Sequence, residues 1–269
     1  MRQLSPPTNA NETQDTEKAP FLVVKRVREA ILDETFQPGD HLGELEVAEK
    51  FEVSRSPVRE ALVALEKEGT LFMSPYKGAI VRPLSAAEVL DIADLRLALI
   101  SLALKPAYRH LSPADFDHAY DLAKRLTRTK NAKEHFEYNR HFWDGIFSKA
   151  QRPILREVFR QQDDRMTRYW PLLLKLFPPE TRPRQQEVLI EIYRKGKIAE
   201  AFRAFKKIYL EIVDEVIDYL KSRFLSSSSL RTTDWCQASR GLSRPAASRW
   251  LKVRSSMFTS VWLFLPTDS

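Results

Sequence analysis

In the run Val53-Ser54-Arg55-Ser56-Pro57-Val58-Arg59-Glu60-Ala61-Leu62, two arginines lie four residues apart. Residues at that spacing share a helix face, so Arg55 and Arg59 present two guanidinium forks together, with Ser56 beside them. Such forks suit phosphate oxygens and the paired acceptors on the major-groove edge of guanine. Val58, Ala61, Leu62 and Leu65 recur at i, i+3, i+4 and i+7 and make a separate apolar stripe for a core to bury. Ser54 or Ser56 suits the N-cap, and Pro57 falls in the first turn, where a missing N–H costs nothing. The stretch reads as a helix whose outer face is built for DNA.

The elements that must position this face flank it. Leu42, Leu45, Val47, Ala48 and Phe51 form an apolar set for a short preceding helix, and Glu52-Val53-Ser54 supplies the turn, which makes a helix-turn-helix. Glu68-Gly69 stops the second helix. Leu71-Phe72-Met73 and Ala79-Ile80-Val81, around Pro75-Tyr76-Lys77-Gly78, predict a hairpin with Lys77 at its tip. Residues 21–84 resemble the winged helix-turn-helix domain of GntR-type bacterial transcription regulators. The likeness runs through Phe36-Gln37-Pro38-Gly39-Asp40-His41-Leu42, the Val53 to Leu62 run, Leu65-Glu66-Lys67-Glu68-Gly69 and Lys77-Gly78-Ala79. It implies that Ser54, Arg55, Ser56 and Arg59 touch DNA in the major groove, and that Lys77 and Gly78 reach the minor groove.

After Arg82-Pro83-Leu84 the pattern becomes helical to about residue 224. Ser85-Ala86-Ala87-Glu88 has the form of a capping box, and Leu90, Ala93, Leu97, Ile100, Ser101 and Leu104 mark one face of the helix it opens. Ser112-Pro113-Ala114-Asp115 caps a second helix, and further helices are expected over 131–149, 151–174, 182–195 and 197–223. The fold class is therefore mainly α: an N-terminal winged helix-turn-helix with a small β hairpin, then an antiparallel helical bundle able to hold a ligand between helices. The expected organisation is a disordered lead-in over 1–18, the winged domain over 19–86, the bundle over 87–224 and a basic Ser/Arg-rich tail over 225–269.

Over roughly residues 90–217 the bundle resembles the FCD effector-binding domain of the FadR subfamily. The likeness is carried by Asp91 to Arg96, Asn139-Arg140-His141-Phe142-Trp143 and Leu189-Ile190 through Gly196. Many members hold a divalent metal there through an aspartate and three histidines. Here those positions match Asn139, Trp143, Gln186 and Ile208 or Tyr209, none of which is a good ligand for a transition metal. No metal and no cofactor are expected. Arg96, Asn139, Trp143 and Gln186 instead become candidate contacts for a small organic effector, with Arg165 and Arg168 as further sources of charge. The contrary reading is that Trp143 merely fills the volume a metal would occupy.

His110, His118, His135 and His141 share no i, i+3 or i, i+4 pair, and no nucleophile-base pair or phosphate-cradling loop emerges, so no enzyme is expected. The single cysteine, Cys236, excludes an intrachain disulfide and suits a reducing cytoplasm. No stretch approaches the length of apolar residues needed to span a membrane. The formal charge is +7, but residues from 226 onward carry six basic against two acidic residues, so the local motif says more about DNA than bulk charge does. The chain reads as a metabolite-responsive repressor binding a palindromic double-stranded DNA operator as a homodimer. Two alternatives stand beside it: an effector-independent or protein-sensing DNA-binding regulator with a filled pocket, and a metal-dependent, enzyme-like helical domain fused to a DNA-binding domain.

Overall fold

A computed structural model describes residues 10–74 and 78–227, with side chains over 19–74 and 78–222. Lys77 and the tail beyond residue 227 lie outside the described residues.

The chain opens with α1 (Ala10–Leu32), which begins inside the stretch expected to be a disordered lead-in and carries Pro20 within it. Then come β1 (His41–Leu42), α2 (Glu44–Phe51), α3 (Arg55–Lys67), β2 (Leu71–Ser74) and β3 (Gly78–Val81). The turn between α2 and α3 is made by Glu52 in the left-handed region, φ 55°, its N–H bonded back to Ala48 and Glu49. The stripe predicted for α3 is the buried one: Val58, Ala61, Leu62 and Leu65 sit against Val23, Val27 and Ile31 of α1 and Val47 of α2. Leu45, expected in the same core, is exposed. The strands form an antiparallel sheet in the order β1-β3-β2, with Leu42 opposite Ala79 and Met73 opposite Ala79 on the other side. The hairpin is thus the wing that the apolar runs predicted.

The bundle comprises α4 (Ala86–Tyr108), α5 (Pro113–Arg128), α6 (Ala132–Lys149), α7 (Pro153–Arg165), α8 (Trp170–Leu176), α9 (Gln185–Tyr193) and α10 (Ile198–Ser227). Ser112 and Asp115 form the reciprocal capping box, with Pro113 in the first turn. At α4 only half of the expected box forms. Ser85 accepts from the Glu88 amide, but the Glu88 carboxylate turns instead to Arg168 and Tyr169. The single helix expected over 151–174 is broken into α7, a 3-10 turn at Met166–Tyr169, and α8. Pro171 has no N–H for an α-helical bond to residue 167, which favours restarting the helix there. On α4 burial extends well beyond the predicted face, to Val89, Ile92, Arg96, Leu99 and Ala103, whereas Ser101 is exposed.

Arg168 and its neighbours attach the winged elements to the bundle. Its Nη1 donates to the Gly69 carbonyl at 2.9 Å, while Arg28 of α1 reaches Glu68 at 2.6 Å and Asp164 at 3.3 Å. Lys133 and Lys175 pair with Glu29 and Glu34 at 2.8 and 2.5 Å. Leu32, Phe136 and Trp170 form a small shared apolar cluster. Gly69 has φ 80°, and an added Cβ would lie 2.9 Å from the Arg165 guanidinium carbon. Gly69→Ala is therefore expected to destabilise the protein by about 1–2 kcal/mol in urea unfolding, from the left-handed backbone and the close approach together.

Candidate functional site

Two places gather the candidate residues. The first is the outer face of α3, where Arg55, Ser56 and Arg59 are exposed opposite the buried stripe and Ser54 occupies the N-cap position. Neither serine caps the helix with its side chain. Ser54 makes no cap bond, and the Ser56 hydroxyl donates to Glu60 at 3.4 Å. Arg59 is not a free fork: Nε and Nη2 donate to the two carboxylate oxygens of Glu44, at 2.9 and 3.0 Å. That bond and the charge of Arg59 hold the Glu44 carboxyl below the usual carboxylate range. Sequence reasoning missed this partner because Glu44 lies in the preceding helix. Gly78, at the start of β3, has φ 71° and open space around its Cβ position beyond an ordinary contact with the Leu42 carbonyl.

The second place is a cavity of about 80 Å³ inside the bundle, walled by α4, α6, α8, α9, α10 and the 3-10 turn. One buried water needs about 10–15 Å³ of such space, so the cavity has room for more than one. Arg96, Asn139, Trp143 and Gln186, the four predicted contacts, all line it. Trp143 is 2% exposed and packs edgewise on Phe142 and Phe205. It fills part of the interior, and the cavity persists beside it. Arg96 is buried, its Nη1 2.9 Å from Asp163 Oδ1, and Asn139 Nδ2 donates to the same oxygen at 2.9 Å. Tyr209, at one of the two positions considered for the fourth family ligand, also lines the cavity, and burial pushes its hydroxyl pKa up.

Arg165 and Arg168 do not face this cavity. Arg165, the last residue of α7, and Arg168, in the 3-10 turn, both point toward Gly69 and Glu88, where Arg168 is fully enclosed. Residues not predicted from the sequence complete the walls: His135, Trp170, Arg182 and Gln185. His135 was legible in principle, since it lies one turn before Asn139 and two before Trp143 on α6. Its ring centroid is 4.7 Å from that of Trp170. Burial, helped by the charge of Arg182, lowers its pKa to about 3, so the ring is neutral.

The donor set does not fit the metal that FCD domains commonly hold. Asn139, Trp143, Gln186 and Tyr209 offer amides, an indole and a phenol, and the carboxylate oxygen beside them, Asp163 Oδ1, already accepts from Arg96 and Asn139. Among the described residues, no three His, Cys, Asp or Glu side chains come together to hold an ion, and no helix is long and apolar enough to cross a membrane.

Comparison with known proteins gives two family matches, "Bacterial regulatory proteins, gntR family" over residues 22–81 and "FCD domain" over residues 91–208. The HTH-type transcriptional regulator YdhC of Bacillus subtilis is 35% identical over 107 residues, 40% of this chain and 46% of that protein. The HTH-type transcriptional repressor RspR of Escherichia coli is 29% identical over 127 residues, 47% of this chain and 53% of that protein. These matches thus span about half the length of the curated relatives. The solved structure of E. coli McbR/YncC superposes with a TM-score of 0.60 at 24% identity, covering 77% of this chain and 98% of that one, and shows the shared fold.

Two measurements follow from this geometry. Unfolded histidine binds a proton below about pH 6.5, whereas His135 in the folded protein does not until about pH 3, so its contribution to stability is full above 6.5 and falls as pH drops toward 3. Between pH 6 and 5, urea unfolding should show a loss about 1 kcal/mol smaller in His135→Phe than in the native protein. Glu44→Gln frees Arg59, and should tighten binding to random duplex DNA several-fold and steepen the salt dependence by up to about one unit in fluorescence anisotropy.

Proposed function

The chain belongs to the GntR family of bacterial regulatory proteins and carries an FCD domain, and we propose that it is a transcription regulator whose operator binding responds to a small organic effector. One observation carries the DNA-binding half of this reading: the face of α3 opposite the buried stripe holds Arg55, Ser56 and Arg59, on a helix held by α1, α2 and the wing. In this reading α3 enters the major groove, Arg55 and Arg59 meet guanine edges or phosphates, and Lys77 and Gly78 bring the wing to the minor groove. The winged domain is taken as residues 19–86 and the effector and dimerisation domain as 87–224.

The protein acts as a homodimer, so that two α3 helices meet two half-sites of an inverted repeat. Leu95 and Leu102, exposed seven residues apart on α4, offer an apolar strip for a second copy. The cavity beside Trp143 favours an effector-responsive regulator over one with a filled pocket. Tyr169 and Trp170 border that cavity, while Arg168 between α7 and α8 grips Gly69 at the foot of the wing and Trp170 touches Leu32 of α1. An effector that prefers one placement of this segment thereby prefers one placement of the recognition helices, which is all that a population shift requires. On this reading the effector releases the operator, and the protein is a repressor working in the cytoplasm.

The test is selection of bound sequences from a random duplex library by the full chain. The native protein should enrich an inverted repeat. Arg59→Ala should enrich none while keeping its melting temperature and oligomeric state. Enrichment of the same repeat by the variant would count against the assigned face.

A further inference from the structure

The winged elements and the bundle meet along a seam whose crossing contacts are mostly polar. Arg28 of α1 reaches Asp164 of α7 at 3.3 Å, Arg168 of the 3-10 turn donates to the Gly69 carbonyl at 2.9 Å, and Lys133 of α6 pairs with Glu29 of α1 at 2.8 Å. Nearly all of these groups have a second partner on their own side. Arg28 also holds Glu68 at 2.6 Å, the Gly69 carbonyl also accepts from Arg82 at 3.1 Å, and Glu29 lies 4.0 Å from Lys25. On the bundle side Asp164 accepts from Arg140 at 3.1 Å and Arg168 holds Glu88, while Lys133 is half exposed to water. Parting along this seam therefore strands no charge, and a stranded charge is what makes the loss of a buried pair costly.

The closed seam also leaves groups unsatisfied. The Nε atoms of Arg28 and Arg168, the two guanidinium groups that span it, are buried with no hydrogen-bond partner. A donor taken from water with nothing in exchange opposes closure. Burial pushes the Asp164 carboxyl above its ordinary range in spite of the charges of Arg28 and Arg140, so its charge too is held at a cost. Against this stand the small apolar cluster of Leu32, Phe136 and Trp170 and the exposed pair of Lys175 with Glu34. Domains of one chain move relative to each other unless their interface is large and apolar. The winged side keeps its own core, drawn from residues 23–81, and joins the bundle through residues 82–85, which are neither helix nor strand.

We propose that this seam is a parting line: the winged half detaches from the bundle as a unit and closes on it again, turning about residues 82–85. In the closed form α3 has one placement relative to the bundle, and in the open form it is released from it. The balance between the two sets what share of the protein has its reading helix under the control of the bundle. The inference rests on the contacts of the seam and needs no ligand in the cavity.

Spin-label distance measurements on the full chain test it, with Cys236→Ser to remove the native thiol and labels at Glu46→Cys on α2 and His118→Cys on α5, both exposed positions. An excess of unlabelled protein restricts the signal to distances within one chain. Two distances should appear. Lys133→Glu with Lys175→Glu, which sets like charges across the seam at exposed positions, should raise the open-to-closed ratio about fivefold, and Glu29→Lys with Glu34→Lys in the same protein should return it. Raising the salt to about 1 M should shrink both effects. Arg28→Gln, which leaves Glu68 and Asp164 facing each other, should open the seam further. A single distance in the labelled, otherwise native protein overturns the proposal. So does a second distance that the charge reversals leave unchanged, since the motion then lies elsewhere.

Discussion

A guanidinium shut away from water must find its partners inside the protein, and the fold is arranged around one such group. The side chain of Arg168 is fully buried; it reaches the Glu88 carboxylate, which also accepts from Tyr169 at 2.7 Å, and the Gly69 carbonyl at 2.9 Å. Stranding one member of such a buried pair typically costs about 3–5 kcal/mol. The end of the recognition helix, the start of α4 and the 3-10 turn are thus tied at one point. That demand also explains why Glu88 abandons the capping role its sequence position suggests.

The same segment has two audiences. Residues 168 and 170 hold the winged elements, one through a polar contact and the other through an apolar cluster with Leu32 and Phe136, while Tyr169 and Trp170 also border the cavity. Communication between a ligand and the DNA-binding face needs no long chain of contacts here, because both are neighbours of three consecutive residues, Arg168 to Trp170. Coupling energies between regulatory sites are typically about 1–3 kcal/mol, comparable to a single hydrogen bond to a charged group gained or lost.

What the sequence made legible was what local periodicity and local chemistry decide. The α3 stripe, the turn at Glu52, the wing strands and the Ser112–Asp115 box each depend on residues within a few positions of one another, and each appears where it was expected. Arg96, Asn139, Trp143 and Gln186 were found through family likeness, and they do share a cavity. Features set by distant partners were not legible. Glu44 sits fifteen residues from Arg59, and Arg168 meets Glu88 across eighty. Arg182 lies between helices, where no period points a side chain anywhere, and Arg165 and Arg168, read from the sequence as further charge for an effector, instead meet Glu88 and Gly69.

The fork between Arg59 and Glu44 gives the outer face of α3 a particular manner of meeting a polyanion. Any DNA group that takes Arg59 must first displace a carboxylate already bound through two hydrogen bonds, so contact there is an exchange rather than an addition. A lone phosphate offers little beyond what Glu44 already provides, whereas a guanine edge offers two acceptors in a fixed plane. In the proposed reading the acid competes with DNA for the arginine, so arbitrary sequence gains less from Arg59 than a site whose base edge matches its fork.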